Sequence, residues 1–80
     1  LAAEQGDAVA QSNLGVMYDK GQGILQDYVR AHMWYNIAVS SGDKTASNNR
    51  NIVEKRMNSN QIETAQRLAR ECVRKKYKGC

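Results

Sequence analysis

The sequence predicts an all-α fold: an antiparallel αα-hairpin solenoid closed by a C-terminal capping helix. Three observations predict it. The stretch EQGDAVA at 4–10 returns as SSGDKTA at 40–46, an offset of 36 residues that also pairs Ala2 with Ala38, Ala3 with Val39, Asn13 with Asn49 and Val16 with Ile52. A fixed period of roughly 20 to 50 residues marks an array of one supersecondary unit. Between the repeated corners, apolar residues recur at helical spacing. Each corner joins a Gly, which tolerates the left-handed conformation that closes a helix, to an Asp, which accepts from the free amides that open the next.

In chain order, residues 1–5 read as the end of a preceding repeat helix, closed at Gly6-Asp7. Ala10, Leu14, Met17 and Tyr18 then mark a helix over about 7–20, and the pattern stops at Gly21-Gln22-Gly23. Asp27 caps a second helix to about 41, with Ala31, Trp34, Ile37 and Ala38 on its inner face. The short loop makes the two helices antiparallel neighbours, so residues 6–42 form one complete unit. From Asp43 a third helix runs through Ala46, Asn49, Ile52, Val53 and Arg56. Here Leu14, Gly15 and Tyr18 become Arg50, Asn51 and Glu54, so residues 43–57 are the first helix of a degenerate terminal repeat, as a solvent-facing end requires. Asn58 with Gln61 forms a capping box. Ile62, Ala65, Leu68, Ala69, Cys72 and Val73 give the stripe of a last helix to about Tyr77, within a capping segment 58–80. Glu63 with Arg67 and Glu71 with Lys75 are i,i+4 pairs on its wet side.

Eighty residues bury only about 60% of their unfolded surface or a little more, so the core is thin. No apolar run approaches the roughly 20 residues of a membrane span, and no signal pattern opens the chain. The first residue is Leu1, already inside a helical pattern, so an upstream portion is expected, and with it any signal peptide. The net charge of +4 is uneven: residues 1–43 sum to −3 and residues 44–80 to +7. Arg74, Lys75, Lys76 and Lys78 sit where cations meet the negative end of the last helix dipole. Tyr77 is the one aromatic among them, short of the several rings a base-stacking platform needs, which speaks against nucleic acid.

Chemistry-bearing patterns are few. There is no Cys–His pair with an orienting acid and no carboxylate cluster. His32 has no partner at metal-ligand spacing and reads as a solvated or hydrogen-bonded histidine. The GQG loop lacks the Lys-Ser/Thr of a phosphate cradle and is a turn. Neither a metal nor a cofactor is expected.

Ala10, Leu14-Gly15, Tyr18, Gly21-x-Gly23-Ile24, Asp27, Ala31, Trp34, Ala38 and Gly42 together resemble the SEL-one-like repeat (SLR) proteins, cousins of the tetratricopeptide repeats. The likeness is strong over residues 1–46. The tail RMNSNQIETAQRLARE also looks like the helix that closes bacterial members, with Asn58-Ser59 where Thr-Pro is common. In such a unit Gly15 lets the partner helix come close, Ala31 and Ala38 meet it, and Tyr18 and Trp34 fill the wedge on either side. The resemblance implies a non-catalytic scaffold that presents a concave groove to a protein or peptide. Two alternatives are a secreted, cysteine-rich relative that binds or hydrolyses cell-wall ligands, and a polyanion binder using the basic C-terminal half.

In tetratricopeptide-like stacks the first helix of each pair lines the groove. That places Val9, Ser12, Asn13, Val16, Asp19 and Lys20 toward it, and the repeat offset adds Thr45, Asn48, Asn49, Ile52, Lys55 and Arg56. Asn13 and Asn49 would share one rung, where amides can bind an extended backbone. Lys20 and Arg56 would share a second, suited to an acidic side chain or a C-terminal carboxylate. With no upstream repeat stacked on them, residues 1–5 and the helix from Asp7 leave an apolar side open to weak self-association. Cys72 lies on the last helix and Cys80 follows Gly79, which can reverse the chain and bring the sulfurs within bonding reach. The C-x₇-C spacing also resembles that of the secreted branch of the family. An intramolecular disulfide is expected, and with it a periplasmic or secreted location in a bacterium.

Overall fold

The computed structural model describes residues 2–80; Leu1, the first residue of the expected preceding helix, lies outside the described residues. A 3-10 turn at Ala3–Gln5 leads into four helices: α1 (Ala8–Lys20), α2 (Tyr28–Ser40), α3 (Ala46–Glu54) and α4 (Ser59–Arg74). Among the described residues there is no strand.

Local chemistry sets the boundaries. Gly6 takes φ +88°, and the Asp7 carboxylate accepts from the Ala10 amide at 3.0 Å, opening α1. Gly21 closes that helix at φ 69°. Asp27 opens α2 by accepting from the Arg30 amide at 3.1 Å. At Asn58 both halves of the capping box form: the Gln61 amide donates to Asn58 Oδ1 at 2.8 Å and the Asn58 amide donates to Gln61 Oε1 at 2.9 Å.

Three expectations are corrected. The third helix starts at Ala46 rather than at Asp43, because Asp43 accepts from both the Thr45 hydroxyl (2.6 Å) and the Thr45 amide (3.1 Å). That local turn competes with the helix for two residues. The last helix ends at Arg74 rather than near Tyr77. The Tyr77 amide donates to the Cys72 carbonyl and the Lys76 amide to the Val73 carbonyl, a Schellman closure with Lys76 left-handed at φ 56°. On the wet side of α4, Arg67 pairs with Glu71 at 3.1 Å. The expected Glu63–Arg67 and Glu71–Lys75 pairs are not formed among the described residues, since Arg67 turns to Glu71 and Lys75 has already left the helix.

α2 is the centre of the molecule, with α1, α3 and α4 all packed against it. On one side Met33, Trp34 and Ile37 are buried with Ala3, Ala69 and Cys72, and Leu14 and Tyr18 pack onto them. On the other, Ala31, Tyr35 and Ala38 meet Ala46 and Val53 of α3. The close approach at Gly15 is made by an unforeseen residue. A Cβ there would lie 2.6 Å from the Tyr35 ring and 3.3 Å from the Ala31 carbonyl oxygen. Ala38 faces α3 instead.

The C-terminal tail folds back over this core. Cys80 is disulfide-bonded to Cys72, with Cα atoms 5.7 Å apart, and its carbonyl accepts from Arg30 Nη1 at 2.9 Å. The Tyr77 ring stands over Gly6, where a Cβ would come within 3.3 Å of it. The tail thus covers part of the N-terminal end: Ala3 is buried there, while Val9 stays 63% exposed.

Candidate functional site

The repeat offset brings the C-terminal part of α1 and residues of α3 to opposite sides of Tyr35 of α2. Between them opens a cleft of about 390 Å³. Val16, Asp19 and Lys20 come from α1, and Asn49 and Ile52 from α3; Arg56, just past α3, closes the rim. Gln26 and Tyr35 complete the lining.

Asp19 is the hub. Its carboxylate accepts from the Tyr35 hydroxyl at 3.3 Å and lies 3.7 Å from Arg56 Nη1. Its backbone carbonyl accepts from Gln26 Nε2 at 2.7 Å, which pins the loop after α1 to the cleft edge. The Asp19 side chain is 13% exposed, against 56% for Arg56. Burial pushes the Tyr35 phenol well above its ordinary value, and the neighbouring Asp19 charge and hydrogen bond add to the shift. The hydroxyl therefore stays protonated and holds the carboxylate in place. Arg56 is held loosely, because an exposed pair at this separation contributes only about 0 to 1 kcal/mol. Ile52 offers an apolar surface that is 51% exposed. The cleft thus combines an exposed aliphatic surface, a half-buried amide at Asn49 and two rim cations around one fixed acid.

Six of the expected groove residues line this cleft: Val16, Asp19, Lys20, Asn49, Ile52 and Arg56. Val9, Asn13, Thr45, Asn48 and Lys55 are exposed but lie outside its lining, so Asn49 lines the cleft without Asn13. Ser12 is corrected. It is only 8% exposed, so its side chain is turned inward rather than toward the cleft. The Asp43 carboxylate is held below the ordinary range, chiefly by the Thr45 hydroxyl, with the Thr45 amide, Ser12 and the Ala46 amide adding to the effect. The expected Lys20–Arg56 rung is altered by Asp19, whose charge engages Arg56.

Tyr35 and Gln26 were missed. Tyr35 had a signal: it follows Ala31 by four and precedes Ala38 by three, on one helical stripe. Gln26 had none, because loop side chains carry no periodicity.

His32 is fully buried and belongs to a second network. Arg50 Nη1 donates to Asn36 Oδ1 at 3.0 Å; the Asn36 amide lies 2.9 Å from His32 Nδ1, and His32 Nε2 lies 2.8 Å from Glu54. Arg can only donate, so the Asn36 nitrogen faces the imidazole and donates to Nδ1. Nε2 then carries the proton that goes to Glu54. This chain ties α2 to α3. Among the described residues no group of three His, Cys, Asp or Glu could hold a metal ion, and no helix is long and apolar enough to cross a membrane.

The family model of the Sel1 repeat matches residues 8–43. The chain is also similar to the crystal structure of a protective antigen present in uropathogenic Escherichia coli strains, displaying an SLR fold. The TM-score is 0.89 and the identity 38%, over 95% of this chain. This chain spans 16% of the length of that one. No curated protein matches the sequence.

Proposed function

Because this chain is an SLR protein whose Sel1 repeat occupies residues 8–43, we propose that it is a non-catalytic protein-interaction scaffold whose docking groove is the cleft between α1 and α3. The carrying observation is that α1 and α3, related by the repeat offset, meet at one cleft with a fixed acid, two rim cations and an exposed Ile52. Its ligand is an extended peptide. Asn49 bonds the peptide backbone, Val16 and Ile52 take an aliphatic side chain, and Arg56 swings from Asp19 to a terminal or side-chain carboxylate beside Lys20. The Cys72–Cys80 bond supports a periplasmic or secreted location. Weak self-association through the N-terminal end is supported by exposed Val9 and opposed by the burial of Ala3.

The test is an amide chemical-shift titration of the labelled chain with pooled hexapeptides that end in free carboxylates, beside the same pool amidated at the C-terminus. Shifts at Asn49, Ile52 and Arg56 that need the free carboxylate are expected. Saturable shifts confined to other residues would overturn the groove assignment.

A further inference from the structure

A second cleft, of about 420 Å³, lies between α2 and α4 and shares no residue with the first. Its size falls within the roughly 300 to 1,000 Å³ of ligand sites. Ile37 and Ala69 form the floor, Val73 stands 43% exposed on one wall, and Ser40, Gln66 and Arg70 make the rim. Val73 is thus an apolar side chain left partly open beside the buried Ile37 and Ala69. Arg70 is the only charged residue in the lining, and among the described residues it takes no ion pair or hydrogen bond. The neighbouring acid Glu71 is already paired with Arg67. Residues 59–80 carry six cations against Glu63 and Glu71, so the field around the cleft is positive. No aromatic ring lines it, as base stacking would require.

We propose that this cleft docks an acidic peptide segment, which lays one aliphatic side chain over Ile37 and Ala69 against Val73 and sets a carboxylate on Arg70. Gln66 supplies a donor and an acceptor for the peptide backbone, and Ser40, whose hydroxyl donates to the Ile37 carbonyl at 2.8 Å, supplies an acceptor. Positive potential around the cleft steers the acidic segment in, while the apolar floor fixes its register. This goes beyond the groove reading and stands without it, because the two clefts are lined by different residues.

The labelled chain is titrated with the acetylated, C-terminally amidated peptide Glu-Glu-Leu-Glu-Glu, which has no free terminal carboxylate. Saturable shifts are expected at Ser40, Gln66, Arg70 and Val73, with none for the counterpart carrying Lys in place of Glu. Arg70→Glu is expected to weaken binding by about tenfold, the scale of one charge-assisted hydrogen bond. Lys78→Glu makes the same charge change outside the cleft and should stay within about twofold, as an exposed, screened charge does. Circular dichroism confirms that each variant is folded, and Arg70→Gln replaces Arg70→Glu if the latter is not. Absence of saturable shifts, equal binding of the lysine peptide, equal losses from both variants, or shifts at Asn49 and Arg56 instead would each overturn the assignment.

Discussion

Gly15 and Tyr35 decide how closely α1 and α2 approach. With the Tyr35 ring 2.6 Å from where a Cβ would sit, and the ring itself only 1% exposed, there is nowhere for it to retreat. Gly15→Ala gains about 1 kcal/mol of helix propensity but overpacks the contact at about 1 to 3 kcal/mol. A net fall in stability is expected by chemical denaturation, and an increase would show that the interface yields. Tyr35 also predicts a pH response. Its folded pKa is raised above the unfolded value of 10.0, so its contribution is intact below that pH and is lost as pH rises above it. Melting curves from pH 9 to 11 should show the native chain losing more stability than Tyr35→Phe; parallel losses would remove Tyr35 as the cause. The ring's place on Gly15 was legible only in part. The spacing from Ala31 put Tyr35 on an inner stripe, but Trp34, beside it, carried the familiar motif and drew the expectation. The contact itself depends on how the two helices cross, which periodicity does not encode.

At the level of elements, the caps at Asp7, Asp27 and Asn58 were readable because each depends on three or four consecutive residues. What could not be read is where a side chain turns when two partners compete for it. Asp43 chose Thr45 and delayed α3; Arg67 chose Glu71 over Glu63. His32 needed Asn36, Arg50 and Glu54, of which two lie on another helix, so the sequence offered only a lone histidine. That network predicts a local effect. His32→Leu leaves Glu54 and the Asn36 amide without their buried partner, at about 1 to 3 kcal/mol per orphaned group. Hydrogen exchange should quicken across Ala46–Glu54 before it does in α1. Uniform acceleration would mean that α3 does not depend on this tie. Asp43 adds an acid-side response: its lowered folded pKa makes its contribution present above the unfolded value of 3.8 and lost as pH falls through the folded one. Asp43→Asn should flatten the loss of stability below pH 4 relative to the native chain.

For the whole molecule, the disulfide and the helical repeat set the shape in different ways. The bond from Cys72 to Cys80 closes a short loop, which in the chain-entropy view contributes about 2 to 3 kcal/mol. It also holds Tyr77 over Gly6 and so seals one end. The double variant Cys72→Ser, Cys80→Ser should melt roughly 10 to 20 °C lower, on the scale for a domain of this size, and an unchanged melting temperature would show that the tail docks without the bond. The repeat, in turn, brings the C-terminal part of α1 and residues of α3 to one cleft, and the central claim is that this cleft is where a partner binds. Isothermal titration with the strongest free-carboxylate hexapeptide from the pool, comparing Asn49→Ala with Asn13→Ala, tests it most directly. Both are exposed or half-exposed asparagines one repeat apart, but only Asn49 lines the cleft. Loss of its hydrogen bonds to the peptide should cost about 1 to 3 kcal/mol, with Asn13→Ala binding like the native chain. Equal affinity for both variants, with the fold intact, would contradict the groove.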